Sequence, residues 1–270
     1  MGVSPTARWL LRIATGVTLA FLYFPLAVIA LYAFNGQRVQ RWPIQEFSTE
    51  WFSKAFDNPG VRDALLTSLK AGLGATAIAL VLGTLASYAV ARYRFFGRDS
   101  ISFLVVLPIA LPGIVTGMAL NTTFTQVLGV NLGLFTVIVG HATFCVVVVF
   151  NNVVARLRRT PGSFVEAAED LGAHSFQAFR TITLPQMRSA LVAGALLAFA
   201  LSFDEVIVTT FTAGSSETLP IWILNNLSRP NQLPIVNVVA VLAIVLSLIP
   251  VWLAQRLSAD PLSSTAPAAR

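Results

Sequence analysis

Few residues in this chain are equipped for chemistry. Asp204 and Glu205 stand side by side in Leu201–Thr209 (LSFDEVIVT), an otherwise apolar run. His141 lies in another apolar run, and Cys145 is the single cysteine. A carboxylate at the centre of a bilayer costs about 2.5–3.5 kcal/mol on insertion scales. Each is therefore expected to face a pathway, a partner charge or the headgroups rather than lipid. Neighbours on one helix point about 100° apart, so the two carboxylates are expected to have different partners. By depth alone His141 is a candidate for substrate contact, with a hydrogen bond to a neighbouring helix as the plainer reading. One cysteine allows neither an intramolecular disulfide nor a cysteine-based metal site, and Cys145 reads as a buried, inert thiol. No G-x-x-x-x-G-K-[ST] loop occurs, nor any Gly-Lys pair, so no means of ATP hydrolysis is visible. No Ser/His/Asp set, zinc spacing or dinucleotide fingerprint appears either. The expectation is a non-catalytic chain with no metal and no cofactor.

The elements that position these residues follow from composition. The 270 residues are 56% hydrophobic and 11% charged, with a mean hydropathy of +0.74. A soluble domain carries about 25% charged residues, so this is an integral membrane protein. Six segments reach the roughly 20 residues that a spanning helix needs. They are Trp9–Phe34, Leu65–Ala91, Ile101–Leu128, Leu132–Ala155, Ala190–Ala213 and Val236–Ala254, which predicts an all-α membrane protein. The first run is too long for the ~7–15-residue core of a signal peptide and reads as an uncleaved anchor. With the N-terminus inside, 12 of the 18 basic residues fall on the cytoplasmic side. The positive-inside rule then puts both termini, and the loop between spans four and five, in the cytoplasm. The net charge of +6 is thus a topology signal, with no nucleic acid implied.

Individual spans carry further expectations. Asn35–Ala64 holds Trp42, Trp51, Phe52 and Phe56 among charges, which fits a short helix on the outer surface or a landing place for a periplasmic partner. Span two repeats Ala71, Ala75, Ala79, Gly83, Ser87 and Ala91, a stripe that lets helix backbones approach closely. Pro108, Pro112, Gly113 and Gly117 predict a kink in span three, which lines a pathway or serves packing. The tail Ser258–Arg270 has no apolar period and is expected to be disordered.

The longest polar interval is Ser163–Gln186 (SFVEAAEDLGAHSFQAFRTITLPQ). Ser163 with Glu166 predicts a capping box opening one helix, and Gly172 closes it. Ser175 is expected to cap a second helix that Pro185 stops. Two helices about a glycine turn could read DNA, but spanning runs on both sides argue against that. Phe164, Phe176 and Phe179 are expected to be exposed, as in a docking surface.

Glu166-Ala167-Ala168, then Gly172, then Ile182-x-Leu184-Pro185 match the EAA---G---------I-LP motif with both gap lengths. The chain thereby resembles the membrane subunits of bacterial binding-protein-dependent ABC importers, over nearly its whole length. The resemblance implies the type I ABC importer permease fold over residues 1–257, with a coupling loop at 160–186. It implies that Glu166, Ala167, Ala168, Asp170, Leu171, Gly172, Phe176, Ile182, Leu184 and Pro185 engage a cytoplasmic ATP-binding subunit, itself a dimer. It also implies a second permease subunit, a periplasmic substrate-binding protein, and residence in the inner-membrane lipid as a multi-pass protein. Ser202–Pro220 (SFDEVIVTTFTAGSSETLP) is similar to the corresponding stretch of spermidine and putrescine permeases, and cationic substrates would suit Asp204 and Glu205. Alternatives are the same machine for another amine, a phosphonate or iron, or a stand-alone carrier or channel. Against a stand-alone protein stand the intact motif and the lack of evident repeat symmetry.

Overall fold

The computed structural model describes residues 4–258. Apart from Ser258, the tail expected to be disordered lies outside those residues. In chain order the helices are α1 (Pro5–Ala33), α2 (Glu50–Asp57), α3 (Pro59–Arg92), α4 (Arg98–Ala110), α5 (Gly113–Thr122) and α6 (Leu134–Arg159). They continue as α7 (Ser163–Asp170), α8 (Ser175–Ala178), α9 (Leu184–Phe203), α10 (Ile207–Thr212), α11 (Leu219–Leu227) and α12 (Leu233–Ser258). Two π-helical turns, Thr123–Val127 and Phe179–Thr183, extend α5 and join α8 to α9. The only extended pairing among the described residues is an isolated bridge between Asn35 and Phe47.

Five helical stretches are long and apolar enough to cross a membrane, and a sixth candidate is a bent pair. That pair, Arg98–Ala110 with Gly113–Val127, turns through 102°, so the continuous third span expected from Ile101 to Leu128 is broken. Pro108 sits inside α4 without ending it. The break falls at Leu111, extended at φ −81° and ψ 144°, because a residue preceding proline is pushed out of the helical region.

The fold divides into two compact units: the chain up to Arg62 with Trp222–Val245, and Asp63–Ile221 with the residues from Leu246 on. In the first, the best apolar window of α1 has none of its residues buried within the chain, a surface left for lipid or another protein. The connection between the first two apolar helices contains a short helix, α2. There Lys54 bridges Glu50 at 2.5 Å and lies 4.3 Å above the Trp51 ring. The Lys54 ammonium holds the Glu50 carboxyl below its ordinary pKa. Trp51 is buried whereas Trp42 and Phe56 are exposed.

In the second unit the most enclosed span is α6, and the small stripe of α3 lies against it. Ala75 and Ala79 share a core with Phe144, Cys145, Val149 and Val153, while Ala71 packs beside Val137. The Ser87 hydroxyl reaches across to the carbonyl of Phe150 at 3.0 Å. A Cβ added at Gly83 would lie 2.9 Å from Val149 Cβ and 3.0 Å from the Val146 carbonyl oxygen. Gly83→Ala should therefore cost about 1–3 kcal/mol as overpacking, read as a lower midpoint of thermal unfolding in detergent. Gly16→Ala, which meets nothing within 4 Å, should leave the midpoint unchanged.

Candidate functional site

Two regions gather the chemistry-bearing residues, and one helix connects them. The first is the polar turn α7–α8. Helix α7 begins with Ser163 inside it, and no side chain caps it. The expected capping box is absent because Gly162 is already helical at φ −68° and ψ −26°, whereas a capping residue needs extended geometry. The carbonyl of Gly162 accepts from Val165 and Glu166 instead, at 2.9 and 3.2 Å.

The exit from α7 is a Schellman closure. Gly172 N–H donates to Glu169 O at 2.9 Å and Ala173 N–H to Ala168 O at 3.0 Å, with Gly172 at φ +89°. Only glycine enters that region without a steric penalty. Ser175 does not cap α8. Its hydroxyl donates to Glu169 Oε1 at 3.0 Å, fixing α8 against α7, while His174 occupies the cap position without a side-chain bond.

Leu171 at 90% and Phe176 at 74% exposure form, with Phe164, an apolar projection around this turn. Phe179 is not part of it. Its ring turns inward onto Tyr88 of α3, edge to face at 5.1 Å. Nor does Pro185 end the helix: Ser175–Phe203 runs on as one 29-residue spanning stretch. The π turn explains this. Its last bond, Leu184 N–H to Phe179 O, spans five residues, and the N–H that Pro185 lacks falls where the register returns to α. At this same end, Arg156 of α6 donates through Nε to the Gln186 carbonyl at 3.0 Å.

The far end of that helix is the second region. The fifth span is not one helix over Ala190–Ala213, because α9 stops at Phe203 and α10 starts at Ile207. Asp204 and Glu205 lie in the break, so the expectation of two helical neighbours about 100° apart does not hold. Glu205 reaches forward along the chain and accepts the Val208 N–H on Oε1 at 3.0 Å. It supplies a cap for α10, while Asp204 is exposed.

Neighbouring helices satisfy the far end of α10 and bridge the break. Asn121 Nδ2 of α5 donates to the Phe211 carbonyl at 2.6 Å, and Thr136 of α6 reaches the Thr212 carbonyl at 2.7 Å. His141 is fully buried, with Nδ1 2.7 Å from Ser202 Oγ and Nε2 2.8 Å from Thr209 Oγ1. Both ring nitrogens are thus engaged inside the protein. Cys145 is also buried, its Sγ 3.3 Å from the Ala198 carbonyl oxygen. Ser202, Thr209, Asn121 and Thr136 did not stand out in the sequence. The signal available was a local excess of short hydroxyl and amide side chains in apolar runs, the type that bonds backbone.

The two breaks meet at a cavity of about 250 Å³. Leu111, Gly113 and Thr116 line it from one broken span, Leu201, Glu205 and Val208 from the other, and Phe144 of α6 lines it as well. Thr116 and Glu205 are its polar lining residues among apolar neighbours, an arrangement that can hold a cationic group carried on an alkyl chain.

Comparisons with known proteins bear on the family and the fold. The family described as "Binding-protein-dependent transport system inner membrane component" matches residues 79–260. The spermidine/putrescine transport system permease protein PotC of Escherichia coli K12 is 35% identical over 243 residues, covering 89% of this chain and 90% of that protein. The putrescine transport system permease protein PotI of the same strain is 32% identical over 230 residues, covering 82% and 81%. Among solved structures, a bacterial ABC transporter that imports the acidic polysaccharide alginate superposes with a TM-score of 0.75 at 15% identity, covering 95% of this chain and 99% of that one. The MetNI methionine ABC transporter in inward-facing conformation gives a TM-score of 0.58 at 19% identity, covering 73% and 92%. These two support the fold alone.

Replacing Asn121 by Leu would leave the part-buried Phe211 carbonyl without its donor. The expected cost is about 1–3 kcal/mol, accompanied by faster hydrogen exchange confined to residues 207–212. Unchanged exchange there would show that Asn121 is not what satisfies the end of α10.

Proposed function

The chain belongs to the family of binding-protein-dependent transport system inner membrane components, and from that membership we propose that it builds the pathway of an ATP-driven polyamine importer. The observation that carries the substrate class is the 35% identity to a spermidine/putrescine permease across 89% of this chain. The cavity supports it. An ammonium about 4 Å from a carboxylate gains about 4 kcal/mol at an effective dielectric near 20, whereas a neutral or anionic solute gains nothing from Glu205. Asp204, exposed beside it, would offer a second amine a place on the approach.

The partners in this reading are a cytoplasmic ATPase dimer, a second and homologous permease subunit, and a periplasmic binding protein. The α7–α8 turn, with Leu171, Phe176 and Phe164 outward, would sit in a cleft on the ATPase. Both termini would be cytoplasmic, as the distribution of arginines supports. Nucleotide would act by binding one of two packings of the spans more tightly than the other. The single helix from Ser175 to Phe203 provides the mechanical link, since its ends are the ATPase-facing turn and the break that holds Glu205.

Two substitutions test this in proteoliposomes containing the full complex. Gly172→Asp forces a side chain into a backbone region that costs L-residues about 1–2 kcal/mol and distorts the exit of α7. Spermidine uptake should fall well below wild type, with weaker recovery of the ATPase, while the spans stay folded by circular dichroism. Full uptake by that variant would refute the coupling role. Glu205→Gln keeps an oxygen to cap Val208 but removes the charge. It should raise the KM for spermidine roughly tenfold or more with little change in thermal stability; an unchanged KM would take Glu205 out of the pathway.

A further inference from the structure

The bonds around His141 form one ordered chain. Thr209 uses its hydroxyl proton on the Glu205 carbonyl, at 2.7 Å, so its oxygen is left to accept from the ring. The neutral ring therefore carries its proton on Nε2 and donates it to Thr209 over 2.8 Å. Nδ1 is then the acceptor, and Ser202 donates to it over 2.7 Å. Ser202 lies in the last turn of α9 and Thr209 in α10, so a single ring on α6 grips both sides of the break. The Glu205 residue at its centre is held at two points, its carbonyl through Thr209 and its carboxylate through the Val208 N–H.

We infer that His141 is a positioning residue: its ring bridges the broken fifth span and, through Thr209, fixes the backbone of Glu205 so that the carboxylate is presented to the cavity for a substrate ammonium group. The functional part of this rests on the reading of Glu205 above. His141 touches no substrate in this arrangement; it acts on affinity through the geometry of another residue. The two arms of the ring differ in purpose. The Nε2–Thr209 arm sets Glu205, and the Nδ1–Ser202 arm secures the end of α9. A purely structural histidine would need both arms equally.

Conservative variants separate the arms. The amide of His141→Gln can place its NH2 where Nε2 stands and keep the Thr209 arm, while His141→Asn can place its oxygen where Nδ1 stands and keep the Ser202 arm. Thr209→Val should reproduce the Asn variant and Ser202→Ala the Gln variant. In the assembled complex, His141→Asn and Thr209→Val should raise the KM for spermidine roughly tenfold, the effect of a lost buried hydrogen bond. His141→Gln and Ser202→Ala should lower the amount of assembled complex, hence Vmax, with KM held within about twofold. A second readout needs no substrate: hydrogen exchange over residues 205–212 should rise in the first pair and not in the second. Equal exchange and equal KM in both pairs would overturn the positioning role. If the wild-type complex moves no spermidine, the polyamine reading fails, and the exchange comparison alone still decides whether the Thr209 arm fixes Glu205.

Discussion

A peptide group at membrane depth has no water to turn to, so every N–H and C=O freed by a break in a helix has to find a partner inside the protein. The second unit is organised by that requirement. The fifth span opens at Asp204–Val206, where Glu205 accepts from Val208 N–H and Thr209 donates to Glu205 C=O, and at the far end of the short helix that follows, Asn121 donates to Phe211 C=O and Thr136 to Thr212 C=O. Three helices meet here because one cannot satisfy a break alone. The cavity lies where the two broken spans meet, lined by Leu111 and Gly113 from one and Glu205 and Val208 from the other.

The large features were legible because they depend on amounts. Too little charge for a water-facing surface and six long apolar runs define the membrane class. A small residue at every fourth position of Ala71–Ala91 anticipates a helix lying close to a neighbour, and Gly83 and Ser87 meet α6 along that stripe. Pro112 announced a kink, though a 102° turn is more than proline alone produces. The break at Asp204 was not legible. Neither glycine nor proline marks it, and the ring that bridges it comes from position 141, far away in the sequence.

Local rules failed in the polar loop for a related reason. Ser163, Ser175 and Pro185 each match a boundary signal, and each is overruled by its neighbourhood. Gly162 enters the helix early, Glu169 takes the Ser175 hydroxyl, and a π turn accommodates Pro185. Phe179, grouped with the exposed aromatics by its spacing, is claimed by Tyr88. Gly172 is the exception: a left-handed residue at a helix exit has few substitutes, so its position could be read directly. Apart from Glu205, the residues that line the cavity carry ordinary identities in apolar stretches, and only the fold gives them meaning.

The π turn at Phe179–Thr183 has a consequence for how this chain can change over evolutionary time. A π turn accommodates one residue more than an α-helix of the same rise, so it sets the angular phase of everything downstream as well as the distance. Between the Gly172 turn and the Asp204 break, an inserted residue would add only about 1.5 Å of length but would rotate the far end by about 100°. Ala198 would turn away from Cys145, and Ser202 would leave the histidine. Substitutions along this interval can accumulate, but a single insertion or deletion has to be cancelled nearby. The stretch therefore behaves as a ruler that is graduated in degrees.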